Sequence, residues 1–224
     1  MARSAIVSAT LQAALLGATS NILAQLMACH GRQTTLQVNW IPVFQFLFFS
    51  IISTPPNFIW QQYLESAFPA RAPAPSPKTS PSTTEPNPKS RPETHPRPLN
   101  VRNTLVKFAL DQTLGAAVNT FLFSMYIHSI HMAMPDAPRI TGFTKATAYW
   151  ISPGVIDFSA VDVGVVLGAA RAEFWTIVLA GIKLWPAVSL VNYTLVRTVE
   201  GRNLVGCIAG LGWGVYMSTV AARS

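Results

Sequence analysis

Charged side chains are scarce in this sequence. They make up 11% of its 224 residues, whereas half of the residues are hydrophobic. Soluble domains carry about a quarter charged residues, so this chain lacks the polar surface that so much apolar content would need in water. We therefore predict an integral membrane protein whose first partner is the lipid bilayer.

Signatures of catalysis and of ligand binding are missing as well. The two cysteines, Cys29 and Cys207, are too few and too far apart to predict a disulfide framework or a metal site. His128 and His131 have a spacing that suits a metal, but no thiol or carboxylate accompanies them, so an interfacial pair is the expectation. The sequence contains no nucleophile, phosphate-binding or dinucleotide-binding motif. We expect no enzyme and no cofactor.

Acidic residues are fewer than basic ones, which leaves a formal net charge of +7. A basic protein often binds nucleic acid, but that function needs a stripe of lysines and arginines interleaved with aromatic residues on a soluble face. Here the basic residues flank the apolar runs, as signals of membrane orientation do. Nucleic acid is therefore not expected as a partner.

Long apolar runs predict an all-α fold, a polytopic transmembrane helical bundle. Each of four runs is long enough to cross a bilayer, and the expected spans lie near residues 5–28, 40–64, 105–133 and 203–222. The run 174–196 predicts a further membrane helix, kinked at Pro186. Residues 135–155 are interpreted as a loop, and residues 156–183 as a helix that begins at the surface and leans against or enters the bundle.

Prolines divide the chain. Pro55 and Pro56 predict a kink or a break in the second span, because they remove two amide donors. Ten of the seventeen prolines fall between Pro69 and Pro98, mixed with Ser, Thr, Lys and Arg. This composition predicts a disordered basic loop, facing the cytosol or a matrix-like side, that can recruit a soluble partner. Three regions follow: the first two transmembrane helices (1–65), the proline-rich linker (66–103) and the C-terminal membrane helices (104–224).

Polar residues within the spans are the candidate functional residues. Asn21 and Gln25 lie one helical turn apart, on a face that should avoid lipid. Either interhelical hydrogen bonds or a water-lined path explains them. Lys107 and Asp111 can pair in the same way, either as a charged constriction of a pore or as a buried ion pair that fixes helix register. Gln112 and Asn119 accompany them in the same span.

Small residues recur every fourth position near the C-terminus, at Gly206, Gly210, Gly214 and Ser218. Such a face lets two helix backbones approach closely, which is how helices associate in lipid. We interpret these residues as helix-packing positions and expect a homo-oligomer.

The C-terminal residues also form a pattern, which comprises Trp185-Pro186-Ala187-Val188, Asn192-Tyr193 and Trp213-Gly214-Val215-Tyr216-Met217-Ser218. It resembles the signature of the peroxisomal membrane protein 2 and Mpv family, small helical proteins of peroxisomal and inner mitochondrial membranes. Lys107 with Asp111-Gln112, and Pro55 with Trp60 and Leu64, are similar to further motifs of that family. The sequence departs from the family pattern at Asn21, Ala117 and Arg197, where an acidic residue and two prolines are usual.

The resemblance implies an organellar membrane protein and favours a passive pore or transport-related protein for small solutes. Its path is expected to be lined by Asn21, Gln25, Asp111, Gln112, Asn119 and Asn192, with Lys183 and Trp185 near an entrance. The alternative is a non-conducting scaffold in which glycine faces form oligomers and the linker recruits a partner. We expect the peroxisomal membrane, with the mitochondrial inner membrane as the alternative.

Overall fold

The computed structural model describes residues 2–31, 37–71 and 98–221, with side chains between residues 4 and 214. The prediction of a disordered linker falls largely on residues 72–97, outside these ranges. Within them the chain is helical and contains no strand beyond one isolated antiparallel bridge, between Arg71 and Leu99. The predicted all-α class is confirmed for this part of the chain.

The described residues form eight α-helices. They are α1 (Ala2–Gly31), α2 (Trp40–Ala67), α3 (Val101–Leu110), α4 (Ala116–Ala133), α5 (Phe143–Ile151), α6 (Val163–Gly181), α7 (Trp185–Thr194) and α8 (Val199–Ala221). A π-helical turn, Asp111–Gly115, joins α3 to α4, and a short 3₁₀ turn, Phe158–Ala160, precedes α6.

Side-chain caps explain where three of the helices begin. Asn39 accepts a hydrogen bond from the amide of Ile41 at the start of α2, and Asn100 accepts one from Asn103 at the start of α3. Asp162 accepts from Gly164 and Val165 at the start of α6. Each cap satisfies amide donors that have no partner inside the first turn.

Three helices are long and apolar enough to cross a membrane, namely Ser4–Gly31, Trp40–Ala67 and Val163–Gly181. The first two coincide with predicted spans. The third was interpreted from sequence as a helix that begins at the surface and leans against or enters the bundle, because Asp157, Asp162, Arg171 and Glu173 interrupt its apolar pattern. Residues 105–133 and 203–221 are helical as expected, and their crossing of the membrane stays a prediction.

The structure corrects two predicted details and narrows a third. Helix α2 continues through Pro55 and Pro56, so of the predicted kink or break the break is not observed and the kink stays a prediction. The predicted loop 135–155 contains helix α5. The run 174–196 is not one kinked helix, because α6 ends at Gly181 and α7 begins at Trp185. Pro186 lies in the first turn of α7, where the amide it lacks would have no helical partner in any case.

Helix packing brings residues that are distant in sequence to two ends of the bundle. Helix α1 packs against α2 and α8, α4 packs against α6, and α3 packs against α7. The linker end of the bundle is defined here by Glu65, Arg71, Leu99 and Arg202. The loop end, at the other terminus of α2, is defined by Gln25, Asn39, Met134 and Ile140.

A buried apolar cluster lies at the loop end. It is formed by Ile41, Ile130, Ala133 and Met134, with Trp150 and other partly buried side chains packed around it. Elsewhere the helices turn large apolar side chains outwards, as Val7, Leu11 and Leu15 do on one face of α1. An apolar exterior with a small interior core is the arrangement expected when lipid surrounds the helices.

Candidate functional site

Glu65, near the end of α2, is the centre of a charged network at the linker end. Its Oε2 atom lies 2.7 Å from Lys107 Nζ and 2.6 Å from Arg202 Nη1. The side chains of Lys107 and Arg202 are 0% and 2% exposed, whereas Glu65 is 31% exposed. One carboxylate with access to solvent therefore pairs with two buried cations, and these contacts join α2, α3 and α8.

Tyr193 of α7 lies between the two cations. The centroid of its ring is 5.2 Å from Lys107 Nζ and 5.3 Å from Arg202 Cζ, which is within the range of cation–π attraction. Its hydroxyl group donates a hydrogen bond of 3.0 Å to Gln61 Oε1. The ring is almost completely buried, so this helix is fixed at the linker end by both packing and polar contacts.

Asp111 forms the second part of the network. Its carboxylate accepts hydrogen bonds from Gln61 Nε2 at 2.9 Å and from Ser189 Oγ at 2.7 Å. Gln112 Nε2 in turn donates to Ser189 Oγ at 2.7 Å. The π-helical turn begins at Asp111, and such turns occur often at functional positions.

The predicted pair between Lys107 and Asp111 is therefore replaced by contacts across helices. Lys107 binds Glu65, and Asp111 is satisfied by Gln61 and Ser189. A spacing of four residues shows only which partners are available within one helix. Glu65 comes from another helix, so the spacing along α3 gives no sign that it lies 2.7 Å from Lys107.

Sequence reasoning missed the central residue of the network. Glu65 is the only acidic residue between Trp40 and Ala67. An isolated carboxylate at the end of an apolar run requires a cation or water, so this feature could have pointed to the site. Arg202 gave no such signal, because basic residues that flank a span are ordinary.

Asn192 lies beside Arg202 on the same side of the bundle. Its Nδ2 atom donates to the carbonyl of Arg202 at 3.3 Å, and Arg202 Nε lies 3.3 Å from the carbonyls of both Asn192 and Val196. These contacts close the turn between α7 and α8. Asn192 thus belongs to the linker end, together with Lys107, Asp111 and Gln112.

Asn21 and Gln25 belong to the opposite end. Gln25 Nε2 donates to Asn21 Oδ1 and to the carbonyl of Asn39, both at 2.8 Å, and the amide of Asn39 donates to Gln25 Oε1 at 2.8 Å. These bonds tie α1 to the start of α2. Asn39 and Glu65 are separated by about 39 Å of helix at 1.5 Å per residue. The predicted lining residues therefore form two groups, one near each end of the bundle, and their lining of a path stays a prediction.

The remaining predicted residues have varied positions. Asn119 and Lys183 are exposed and belong to neither group. Of the small-residue face, Gly214 approaches Ser20 of α1, Gly210 faces Trp185, and Gly206 has no neighbour where a side chain would begin. Trp213 is partly buried in α8, and the side chains of Tyr216 and Ser218 lie outside the described residues.

A third polar group lies on α6 and α4. Glu173 Oε2 is 3.1 Å from His128 Nε2 and accepts a hydrogen bond from Ser124 Oγ at 3.3 Å. The Glu173 side chain is nevertheless 51% exposed, and Arg171 on the same helix is exposed as well. These two charges interrupt a surface that is otherwise apolar.

Ser189 and Tyr193 lie on α7 and Arg202 lies on α8, and both helices follow α6 in the chain. Residues 162–218 match the Mpv17 / PMP22 family. The match includes these three network residues and confirms the resemblance predicted from the C-terminal pattern. No curated protein and no solved structure matches the chain. The family match and the apolar helices together support a multi-pass integral membrane protein of an organelle.

The contacts of the linker-end network join helices to one another. Its polar atoms bind one another, and Lys107 and Tyr193 have almost no contact with solvent. Removing one partner from such a group leaves a buried charge unpaired, which is strongly unfavourable. The charged residues of α6 differ from this network, because their side chains are exposed and not buried between helices.

Proposed function

We propose that this protein of the Mpv17 / PMP22 type is a passive pore or transport-related protein for small solutes. We place it in the peroxisomal membrane, with the mitochondrial inner membrane as the alternative, where it contributes to metabolite and redox balance. The observation that supports a pore is the exposed charged surface of α6, within a candidate membrane span.

The depth of this surface follows from its neighbours. Glu173 contacts Ser124 and His128 of α4. Between these two residues, the hydroxyl of Tyr126 donates a hydrogen bond to the carbonyl of Gln45. Gln45 lies five residues inside α2 from Trp40, or about 8 Å at 1.5 Å per residue. The carboxylate is therefore more than one helical turn inside the bundle end.

A charged side chain at this depth cannot face hydrocarbon without a cost of a few kcal/mol on insertion scales. Water in a lumen, or a second subunit, removes that cost. Gly168 has no neighbour within 4 Å of the position of a side chain, so the face next to these charges is open to close approach. We propose that copies of the chain meet along α6 and enclose a wet path that Arg171 and Glu173 help to line.

Solute flux through liposomes tests this proposal. Vesicles that contain the purified wild-type protein should pass small hydrophilic solutes. Glu173→Gln should change the preference between cations and anions, because lining charge sets selectivity in narrow pores. Asp136→Asn, which removes an exposed carboxylate from a loop, is the matched control and should behave like wild type. Impermeable vesicles that contain folded protein would contradict a pore.

The second candidate is a non-conducting scaffold, and the way the linker leaves the bundle favours it. The amide of Asn100 donates to the carbonyl of Ala70 at 2.8 Å, and Asn103 Nδ2 donates to the carbonyl of Pro69 at 3.0 Å. The chain therefore departs and returns at one point, as suits a tether that presents a binding segment.

Deletion of residues 73–97 separates the two candidates. Because residues 71 and 99 are already adjacent, a short connection should leave the helices in place. A pore should keep its flux after the deletion. A scaffold should lose a soluble partner that the full chain retains in a pull-down.

A further inference from the structure

A cavity with a volume of about 130 Å³ opens at the linker end of the bundle. It lies between the base of the linker and the turn that joins α7 to α8. Three arginines contribute to its lining, Arg71, Arg197 and Arg202, and among the described residues Glu65 is the only acidic one that does so. The cavity thus has its own location and charge, distinct from the α6 surface to which we assign conduction.

Among the described residues, cations outnumber carboxylates around this cavity. Arg71, Arg197 and Arg202 line it, and Lys107 lies behind Glu65. Against these four cations stand two carboxylates, Glu65 and, deeper in the linker-end network, Asp111. Clustered charge of one sign is costly unless a counter-charge is present. A bound anion would supply it.

Arg71 has a nitrogen atom available for a ligand. Its Nε atom is buried and has no hydrogen-bond partner among the described residues. Arg202 Nη1, by contrast, lies 2.6 Å from Glu65 Oε2 and is engaged in that ion pair. Buried donors in proteins are nearly always satisfied, so the unpaired Arg71 donor indicates a ligand with acceptor oxygens.

We propose that this cavity binds a phosphate group. Its volume corresponds to about four water molecules, at about 30 Å³ for each, which suits one phosphate rather than a large solute. Each guanidinium group can donate two parallel hydrogen bonds to a phosphate. A tetrahedral phosphate can accept such bonds from several arginines at once, whereas a carboxylate can accept from fewer. A site at a helix end beside a basic linker can take that phosphate from solution or from an anionic lipid headgroup.

Binding to the full chain in phosphatidylcholine nanodiscs tests the proposal. In the first arm, inorganic phosphate is titrated and followed by calorimetry and by the thermal unfolding temperature. In the second arm, the nanodiscs contain phosphatidic acid and no free phosphate is added. A ligand that binds the folded state should raise the unfolding temperature in the arm that supplies it. Response to free phosphate assigns a soluble source, and response to phosphatidic acid assigns the headgroup.

Two double variants complete the design. Arg71→Gln with Arg197→Gln removes two cavity charges that are not completely buried, so the helices should still fold. Arg139→Gln with Lys145→Gln removes two exposed charges from the loop end and is the matched control. The cavity variant should bind about tenfold more weakly or worse, since hydrogen bonds to charged groups carry at least that much affinity. Absence of binding in both arms, or equal binding by the cavity variant and wild type, would overturn the site.

Discussion

Glu65 illustrates how one side chain can hold several helices at a membrane surface. Two cations from α3 and α8 converge on its carboxylate, and the ring of Tyr193 lies between them. Such an arrangement contributes little beyond what a packed apolar cluster would, but removing one member is costly. Its effect is to restrict how α2, α3, α7 and α8 can pack against one another.

Glu65→Gln should therefore destabilise the protein by about 2–4 kcal/mol, because Lys107 and Arg202 then lose their shared counter-charge. The lower half of the range applies if water reaches the pair through the exposed side of Glu65. Thermal unfolding in detergent, followed by circular dichroism, measures the change. Glu200→Gln removes an exposed carboxylate from α8 and should change stability by less than about 0.5 kcal/mol. Equal stability of the two variants would show that Glu65 holds nothing together.

For single residues, the sequence predicted that a polar side chain would have a partner better than it predicted which partner that would be. A carboxylate such as Asp111 in an apolar run was expected to be satisfied, and it is, by Gln61 and Ser189. The expected partner, Lys107, binds Glu65 instead. Spacing along one helix cannot rank partners that other helices supply, because those distances are set by tertiary packing.

Helices α1 and α2 depend on a close approach at Gly17. A side chain built at Gly17 would overlap Ser50 Oγ and would lie 3.3 Å from the carbonyl oxygen of Phe46. The backbone oxygen cannot rotate away. The absence of a side chain at this position is therefore a condition of the contact, as expected for helices that associate in lipid.

Gly17→Ala should separate these helices and destabilise the protein by about 1–3 kcal/mol, the usual cost of inserting volume into a packed contact. Gly212→Ala is the control, since nothing lies within 4 Å of its side-chain position and it lies outside the predicted small-residue face of α8. Alanine there should be neutral or stabilising by up to about 1 kcal/mol through helix propensity. Both variants are compared with wild type by thermal unfolding in one detergent. A control that loses more stability than Gly17→Ala would refute the packing argument.

The elements that sequence predicted well are those with long uninterrupted apolar runs, α1 and α2. Helix α5 was missed because nine residues give a weak local signal. Its stability comes from contacts such as Trp150 with Phe44 and Phe48, which lie about a hundred residues earlier. The boundary between α6 and α7 was also missed. It depends on the packing of Trp185 beside Gly181 and on Pro186, which lies in the first turn of α7.

Among the described residues, three polar groups differ in their surroundings. The linker-end network is buried, the Asn21–Gln25–Asn39 group closes a turn, and the Arg171–Glu173 surface is open. Composition predicted the lipid-exposed exterior, and the C-terminal pattern predicted the family. Neither could separate the three groups, because their distinction lies in burial and in the partners that each group contacts.

Accessibility to water along α6 is the measurement that tests the proposed pore most directly. In a chain with Cys29 and Cys207 replaced by alanine, Ala172→Cys places a thiol between Arg171 and Glu173, at the midpoint of the helix. Leu15→Cys, on the exposed apolar face of α1, is the matched lipid-facing control. A hydrophilic thiol reagent applied to intact membranes should label the α6 position and leave the α1 position unlabelled. If Ala172→Cys proves as unreactive as Leu15→Cys, although both react in detergent, no wet path runs along α6.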